Sequence, residues 1–477
     1  MRWHLVIVLL LASRFSLAQE NGPAVPRETQ LQSDFRREGE HIKESCAFSF
    51  KGFFNCAEEL ATDHPLHLAL GSIAPQNGFG FGMAFVTHYT PNENWRISWD
   101  FDGVGATSAS WRAGGYMKII HTPVEHITVV SNATGKPAKS KLAVHPYTVF
   151  NIYAQAIALN KLFFFGLGPS TLVSDKSVFG MQQTIVGGNV IKPVGEWPAI
   201  RGLNLSLLGE VNGRFVNIRG NPGGSTPSIE QLYTNATAPG LATQPGFVQL
   251  GEGFRVKPTL FNDHLQFNYL VNFQQFFASS DSTYSFRRWT VDLDHEVPLY
   301  GHSQSVVKPK DTNGPDRCSQ DVVIQKCPPI DYSRNRNGTI GFRLLISESI
   351  ADAGSVVPFY FQPTLGGSDI NGNPALSSYQ DYRFRAPNVL LLRESFEHSI
   401  WGPLGFSFMA DQGKVALTRG DVNFQNLQHS FATGLTLRAG GFPQVFFLFA
   451  WGGNEGDHTI GTVNTSLLGG SARPSLY

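Results

Sequence analysis

Arg383 and Arg385 flank Phe384 in a Tyr-Arg-Phe-Arg run, and two carboxylates follow at Glu394 and Asp411. Charged residues make up only 16% of the chain, so such a grouping asks for a reason. A guanidinium is a planar fork that can grip a carboxylate with two parallel hydrogen bonds. Arg383 or Arg385 paired with Asp411 or Glu394 would make an ion lock, worth little if exposed and much more out of water. The other reading is that both arginines are solvated loop residues and Asp411 sits in a turn. Catalysis finds no support. The sequence lacks Gly-x-Ser-x-Gly, His-Glu-x-x-His and a phosphate loop, so no catalytic residue, metal or cofactor is expected. Asp369-x-Asn371-x-Asn373 hints at a calcium loop, but Pro374 takes the glycine position and no Glu follows at the right distance.

The elements around these residues read as strands. From Leu265 to Gln274, Leu265, Phe267, Tyr269, Val271 and Phe273 fall on one face. Gln266, Asn268, Asn272 and Gln274 fall on the other, with Leu270 as the exception. Period two puts one face in an apolar medium and the other in a polar one. Trp95, Ile97, Trp99 and Phe101 alternate with Arg96, Ser98, Asp100 and Asp102. Trp289, Val291 and Leu293 alternate with Arg288, Thr290, Asp292 and Asp294, and Phe431, Leu435 and Leu437 with Gly434, Thr436 and Arg438. Residues 388–400 and 444–451 do not sort by face. Sixteen such segments lie between residues 65 and 469, ten before the Cys318–Cys327 stretch and six after. An even number suits an antiparallel transmembrane β-barrel closed on itself. The two longest connections, about 298–337 and 349–387, are both expected outside the cell. The last strand is expected to end near Gly469, because Pro474 breaks strand pairing. A soluble propeller or sandwich also alternates, but no repeat of blade length is visible.

Composition agrees with strands. The chain has 37 Phe, 13 Tyr, 8 Trp and 49 Gly with no apolar run after residue 18 long enough for a transmembrane helix. A membrane barrel carries its apolar residues at every second position, so hydropathy stays modest. The formal net charge is zero, which offers nothing to nucleic acid. Residues 1–18 read as a signal peptide: Arg2, an apolar stretch from Leu5 to Ala12, then Ser16-Leu17-Ala18 before Gln19. Residues 19–64 form a short, polar periplasmic segment, and residues 65–477 the barrel. Behind a signal peptide, Cys46 with Cys56 and Cys318 with Cys327 are expected as two local disulfides. Zinc is the rival reading, but neither pair has Cys-x2-Cys spacing. Mass mapping of a non-reduced digest should find the two local pairs; free thiols or a Cys46–Cys327 link would refute them.

The order of features from Leu365 to Val415 resembles the C-terminal barrel signature of the bacterial surface-antigen superfamily, the BamA–TamA group. The carrying residues are the Gly366-Gly367 turn, Leu376-Ser377-Ser378-Tyr379, Arg383-Phe384-Arg385, a strand with Glu394, then Asp411 and Gly413. Phe164-Phe165-Gly166-Leu167-Gly168, followed by Asp175 and Phe179, matches the family's Phe-Gly-x-Gly turn more weakly. Ser377 and Ser378 stand where the family has Arg-Gly. The resemblance implies a sixteen-stranded outer-membrane barrel with a loop folded into its lumen and held by arginine–carboxylate contacts. It also implies a role in assembling or translocating protein. The family's periplasmic POTRA domains have no room in residues 19–64, so accessory or client proteins are expected as partners of a monomeric barrel in outer-membrane lipid. The alternative is a channel or surface-binding scaffold without insertase activity.

Overall fold

The computed structural model describes residues 66–92, 94–122, 124–126, 142–144, 147–196, 203–221, 224–260, 265–307, 331–401, 404–439, 442–463 and 474–476. The signal-peptide reading, the 19–64 segment and all four cysteines lie outside the described residues.

The described strands are β1 (Leu66–Ser72), β2 (Phe79–Asn92), β3 (Trp95–Ala106), β4 (Trp111–His121), β5 (Val124–His126), β6 (Leu142–Val144), β7 (Thr148–Phe164), β8 (Ser177–Glu196), β9 (Leu203–Gly220) and β10 (Phe247–Leu260). They continue with β11 (Leu265–Ala278), β12 (Phe286–Val307), β13 (Asp331–Ile350), β14 (Thr364–Leu365), β15 (Phe384–Arg385), β16 (Asn388–Trp401), β17 (Leu404–Ala416), β18 (Gln428–Ala439), β19 (Phe442–Trp451) and β20 (His458–Val463). β5 pairs only with β6 and β14 only with β15; the other sixteen strands join one all-antiparallel sheet in chain order. β1 and β20 are its two edges. Their Cα atoms come within 8 Å of one another, with no ladder between them among the described residues.

The sheet inverts the usual distribution of polarity. Phe81, Phe101, Phe215, Phe254, Phe447 and Leu435 are exposed on one face. Asp100, Asp102, Arg112, Gln155, Asn212, Arg214, Arg288 and Asp411 are buried on the other. Exposed apolar side chains run from β2 to β19, far beyond the few hundred Å² of apolar patch that a monomeric soluble protein tolerates. The alternation read from the sequence sorts this way. Phe273 packs on Trp289 with ring centroids 4.5 Å apart on the outward face. Asn272 and Gln274 line an internal cavity on the polar face. Leu270, the exception, lines the same cavity.

The two segments that resisted sorting have a physical cause. Val389 and Leu391 of β16 and Val415 of β17 are buried on the inner face against Leu365, Leu376 and Phe384 of the 351–387 loop. Leu448 and Ala450 of β19 pack on Met409 and Ala432 in the same manner. Both faces of these strands are therefore apolar, and the two-residue period disappears.

One expectation is corrected. Connections in an antiparallel meander alternate between the two ends, so the consecutive ones after β12 and β13 lie at opposite ends of the sheet, not both outside. The first is also much shorter than expected, because β12 and β13 stay paired from Arg287↔Ile350 to Val307↔Asp331. The last described strand is His458–Val463, and the expected end near Gly469 lies outside the described residues.

Candidate functional site

The loop after β13 enters the polar side of the sheet on an aromatic anchor. Phe359, Tyr360 and Phe361 form one 3-10 turn and are all buried. Phe359 meets Phe164 and Phe179, with ring centroids 5.2 Å away in each case. Phe361 meets Phe247 and Phe276 at 5.0 and 5.4 Å. The Phe359 N–H donates to Pro239 O and the Val356 N–H to Thr283 O, both at 2.8 Å. Two other loops, through Pro239 and Thr283, and four strands therefore meet this segment.

Beyond it the chain turns back on itself as a hairpin, β14 against β15. Gly366 and Gly367 make the turn possible, with φ of +107° and +61°. A side chain on Gly366 would collide with the Cβ of Arg383, and one on Gly367 with Asp381. The hairpin is closed by Gly366 N to Ala375 O at 3.0 Å and Tyr382 N to Gly366 O at 3.0 Å. The wall makes room as well. A Cβ on Gly413 would lie 2.8 Å from Leu390 O and 3.2 Å from Leu365. One on Gly453 would lie 2.6 Å from the Ser378 hydroxyl.

The strongest grip comes from the wall. Arg393 of β16 stands directly opposite Asp411 of β17 in register. The two make a bidentate pair, Nε to Oδ1 at 2.7 Å and Nη2 to Oδ2 at 3.0 Å. Asp411 Oδ2 also accepts the Leu376 N–H of the loop at 2.8 Å, and Arg393 donates to Pro374 O. The pair thus offers the loop backbone one acceptor and one donor. Residues 393 and 411 each sit five residues below the rim of their strands, about 17 Å along the strand at ~3.4 Å per residue. Ser378 N donates to Ser430 Oγ and the Tyr379 hydroxyl to Gln428 Oε1, both at 2.8 Å. Ser377 and Ser378 themselves are buried.

The arginines of the loop find other partners than those expected. Arg383 donates to Glu455, in the turn between β19 and β20, and to Thr171 Oγ1 and O at 2.7 and 2.6 Å. Its guanidinium lies 5.0 Å from the Phe165 ring centroid. Arg385 Nη1 donates to Phe359 O at 2.8 Å and its guanidinium lies over Phe164 and Phe359. Asp411 is held by Arg393, and Glu394 is on the opposite, exposed face of β16. The physical reason is parity: successive strand residues point to opposite faces, so 393 and 394 cannot both face the loop. The one-residue offset was accessible from the sequence once β16 and β17 were put in register. Glu455, in a Gly-Gly-Asn-Glu-Gly turn, carried no such signal.

The weaker motif also lands here. Gly166 and Gly168 have φ of +93° and +104°, and Gly168 N donates to Arg385 O at 2.8 Å in an antiparallel bridge. The loop reaches the first hairpin too. The Tyr382 hydroxyl donates to Pro75 O at 2.8 Å, and Gln76 Nε2 to Asp381 Oδ2 at 2.7 Å. Burial pushes the Asp381 carboxyl above the usual carboxylate range, opposed by its hydrogen bonds from Gln76 and the Ser368 N–H. Asp369 is a turn former: it accepts from Asn373 N and Nδ2 at 2.8 and 3.0 Å. Among the described residues no group of acids, histidines or cysteines is arranged to hold a metal ion.

No family model matches the chain, and no curated protein matches it in sequence. Its backbone is similar to solved structures. CdiB from Acinetobacter baumannii is 11% identical, with a TM-score of 0.45 over 83% of this chain and 59% of that one. CdiB from Escherichia coli is 10% identical, with a TM-score of 0.46 over 82% and 59%. BamA from Haemophilus ducreyi lacking POTRA domains 1-3 is 10% identical, with a TM-score of 0.42 over 83% and 68%. The chain spans about 59% of the length of the two CdiB chains.

Proposed function

We propose that the sheet closes edge to edge into an outer-membrane β-barrel, with the 351–387 loop held in its lumen, and that the protein assembles or translocates polypeptide there. The observation that carries the barrel is the inverted sheet, buried polar on one face and exposed apolar on the other. Curling is supported by the reach of a single loop. It touches Pro75 and Gln76 beside β1, Arg288 of β12, Asp411 of β17 and Glu455 beside β20. Sixteen strands spaced ~4.8 Å apart would span about 70 Å if flat, too far for one short hairpin to meet both edges.

The polypeptide role is supported by where the signature residues meet. The Phe-Gly-x-Gly turn, the Arg-Phe-Arg run and Asp411 lie in separate stretches of the sequence. They converge on one loop, and three of its wall contacts go to backbone groups: Leu376 N, Ser378 N and Pro374 O. A seat built for backbone accepts many sequences. Depletion of the protein in its host, scored on the abundance of outer-membrane proteins and on surface export, tests the role. Loss of a subset of these proteins is expected. Unchanged levels, together with a solute-selective current from the purified protein, would establish the channel reading instead.

A further inference from the structure

Residues 474–476 lie against the polar face of the sheet, distant in sequence from all that they touch. Arg214 of β9 is fully buried, and its Nη1 donates to Ser475 O at 2.8 Å. Asn371, at the tip of the loop hairpin, takes the other half of the same peptide unit: its Oδ1 accepts the Leu476 N–H at 2.9 Å. Its Nδ2 also lies 3.4 Å from Ser475 Oγ. Gln249 of β10 accepts from Arg214 Nε and fixes the guanidinium. The Leu476 side chain is 6% exposed, within the apolar cluster that includes Phe247, Phe276 and Phe361. Beside Ser475 lies a cavity of about 270 Å³ lined by Arg288, Asp292, Arg343 and Asp369 among others.

This seat reads backbone. One peptide unit has its carbonyl taken by a buried cation and its N–H by a side-chain amide, and the following side chain fills an apolar socket. A buried guanidinium that lost its carbonyl acceptor would be costly to leave unpaired, so displacement by another peptide is favoured over vacancy. The geometry points to a peptide-binding subsite on the polar face, formed by Arg214, Asn371 and the apolar socket. Residues 475–476 occupy it in cis, and an extended polypeptide with an apolar side chain after the bound peptide unit takes it by displacing them. The role of that polypeptide as a client rests on the polypeptide-handling reading above; the subsite itself does not.

The test is a fluorescent heptapeptide of the sequence Ser471–Tyr477, titrated in detergent against the full chain and against a variant lacking residues 471–477. Saturable binding to the shortened protein is expected, with at least about tenfold weaker binding to the full chain, whose own segment competes. Arg214→Met in the shortened protein, or Leu476→Asp in the peptide, should each weaken binding by about tenfold or more, as loss of a charged hydrogen bond or of an apolar anchor implies. The peptide change keeps the test valid if Arg214→Met fails to fold. Equal affinity for the full and shortened chains, or no binding to the shortened one, overturns the subsite. A loop deletion that still yields a wide pore would then leave the barrel reading standing.

Discussion

Asp411→Ala should destabilise the protein by about 3–5 kcal/mol, the usual range for removing one partner of a buried ion pair. Asp411 and Arg393 have side chains only 2% and 13% exposed, so solvent does little to screen the guanidinium left behind. The loop loses at the same time, because the Leu376 N–H keeps no carboxylate to donate to. Arg393→Met/Asp411→Leu should recover the part of the loss due to an uncompensated charge, but not the hydrogen bonds to Leu376 N and Pro374 O. A double-mutant cycle by urea unfolding in detergent isolates the pairwise term. Coupling of several kcal/mol is expected between 393 and 411, and little between 394 and either loop arginine. A single mutant within about 0.5 kcal/mol of the parent, the scale of an ordinary surface substitution, would remove the pair from its assigned role. Trypsin gives a second readout: Arg383 and Arg385 are buried and should become cleavable in Asp411→Ala before the strands unfold.

Val271→Arg should cost about 2–4 kcal/mol in folding titrations into lipid bilayers, the penalty for a cation at the lipid-facing midplane of a barrel. Val271 lies midway along β11, opposite Val291 on β12 and Phe254 on β10. Asn268→Arg, on the polar face opposite Asp294, should cost far less. The contrast is the informative part. Equal tolerance on both faces would mean that neither meets lipid.

Much of this was legible in the residues. Period two gave the faces of β3, β11, β12 and β18, because there the inner face is polar. It failed at β16 and β19, where a loop from elsewhere covers the inner face with Leu365, Leu376 and Phe384 or where Met409 and Ala432 pack on it. An apolar partner distant in sequence leaves no periodic trace. The loop and its glycines were legible from Gly366-Gly367 and Gly413, but the pairing within it was not. Glu394 and Arg393 are neighbours in sequence and opposites in space, and only the register with β17 separates them. The partner of Arg383 sits in the last hairpin, 72 residues away. The role of residues 474–476 depends on contacts 261 and 105 residues distant, beyond any local pattern.

Single-channel recording of the purified protein in planar bilayers, beside a variant lacking Gly366–Pro387, tests the closed barrel and its occupied lumen together. With the loop inside, the parent should pass a small, fluctuating current, and the deletion a steady current several-fold larger, because the hairpin lying ~17 Å down the strands would be gone. Identical conductances, or no pore from either protein, would place the loop outside the conduction path and contradict a barrel plugged by its own loop.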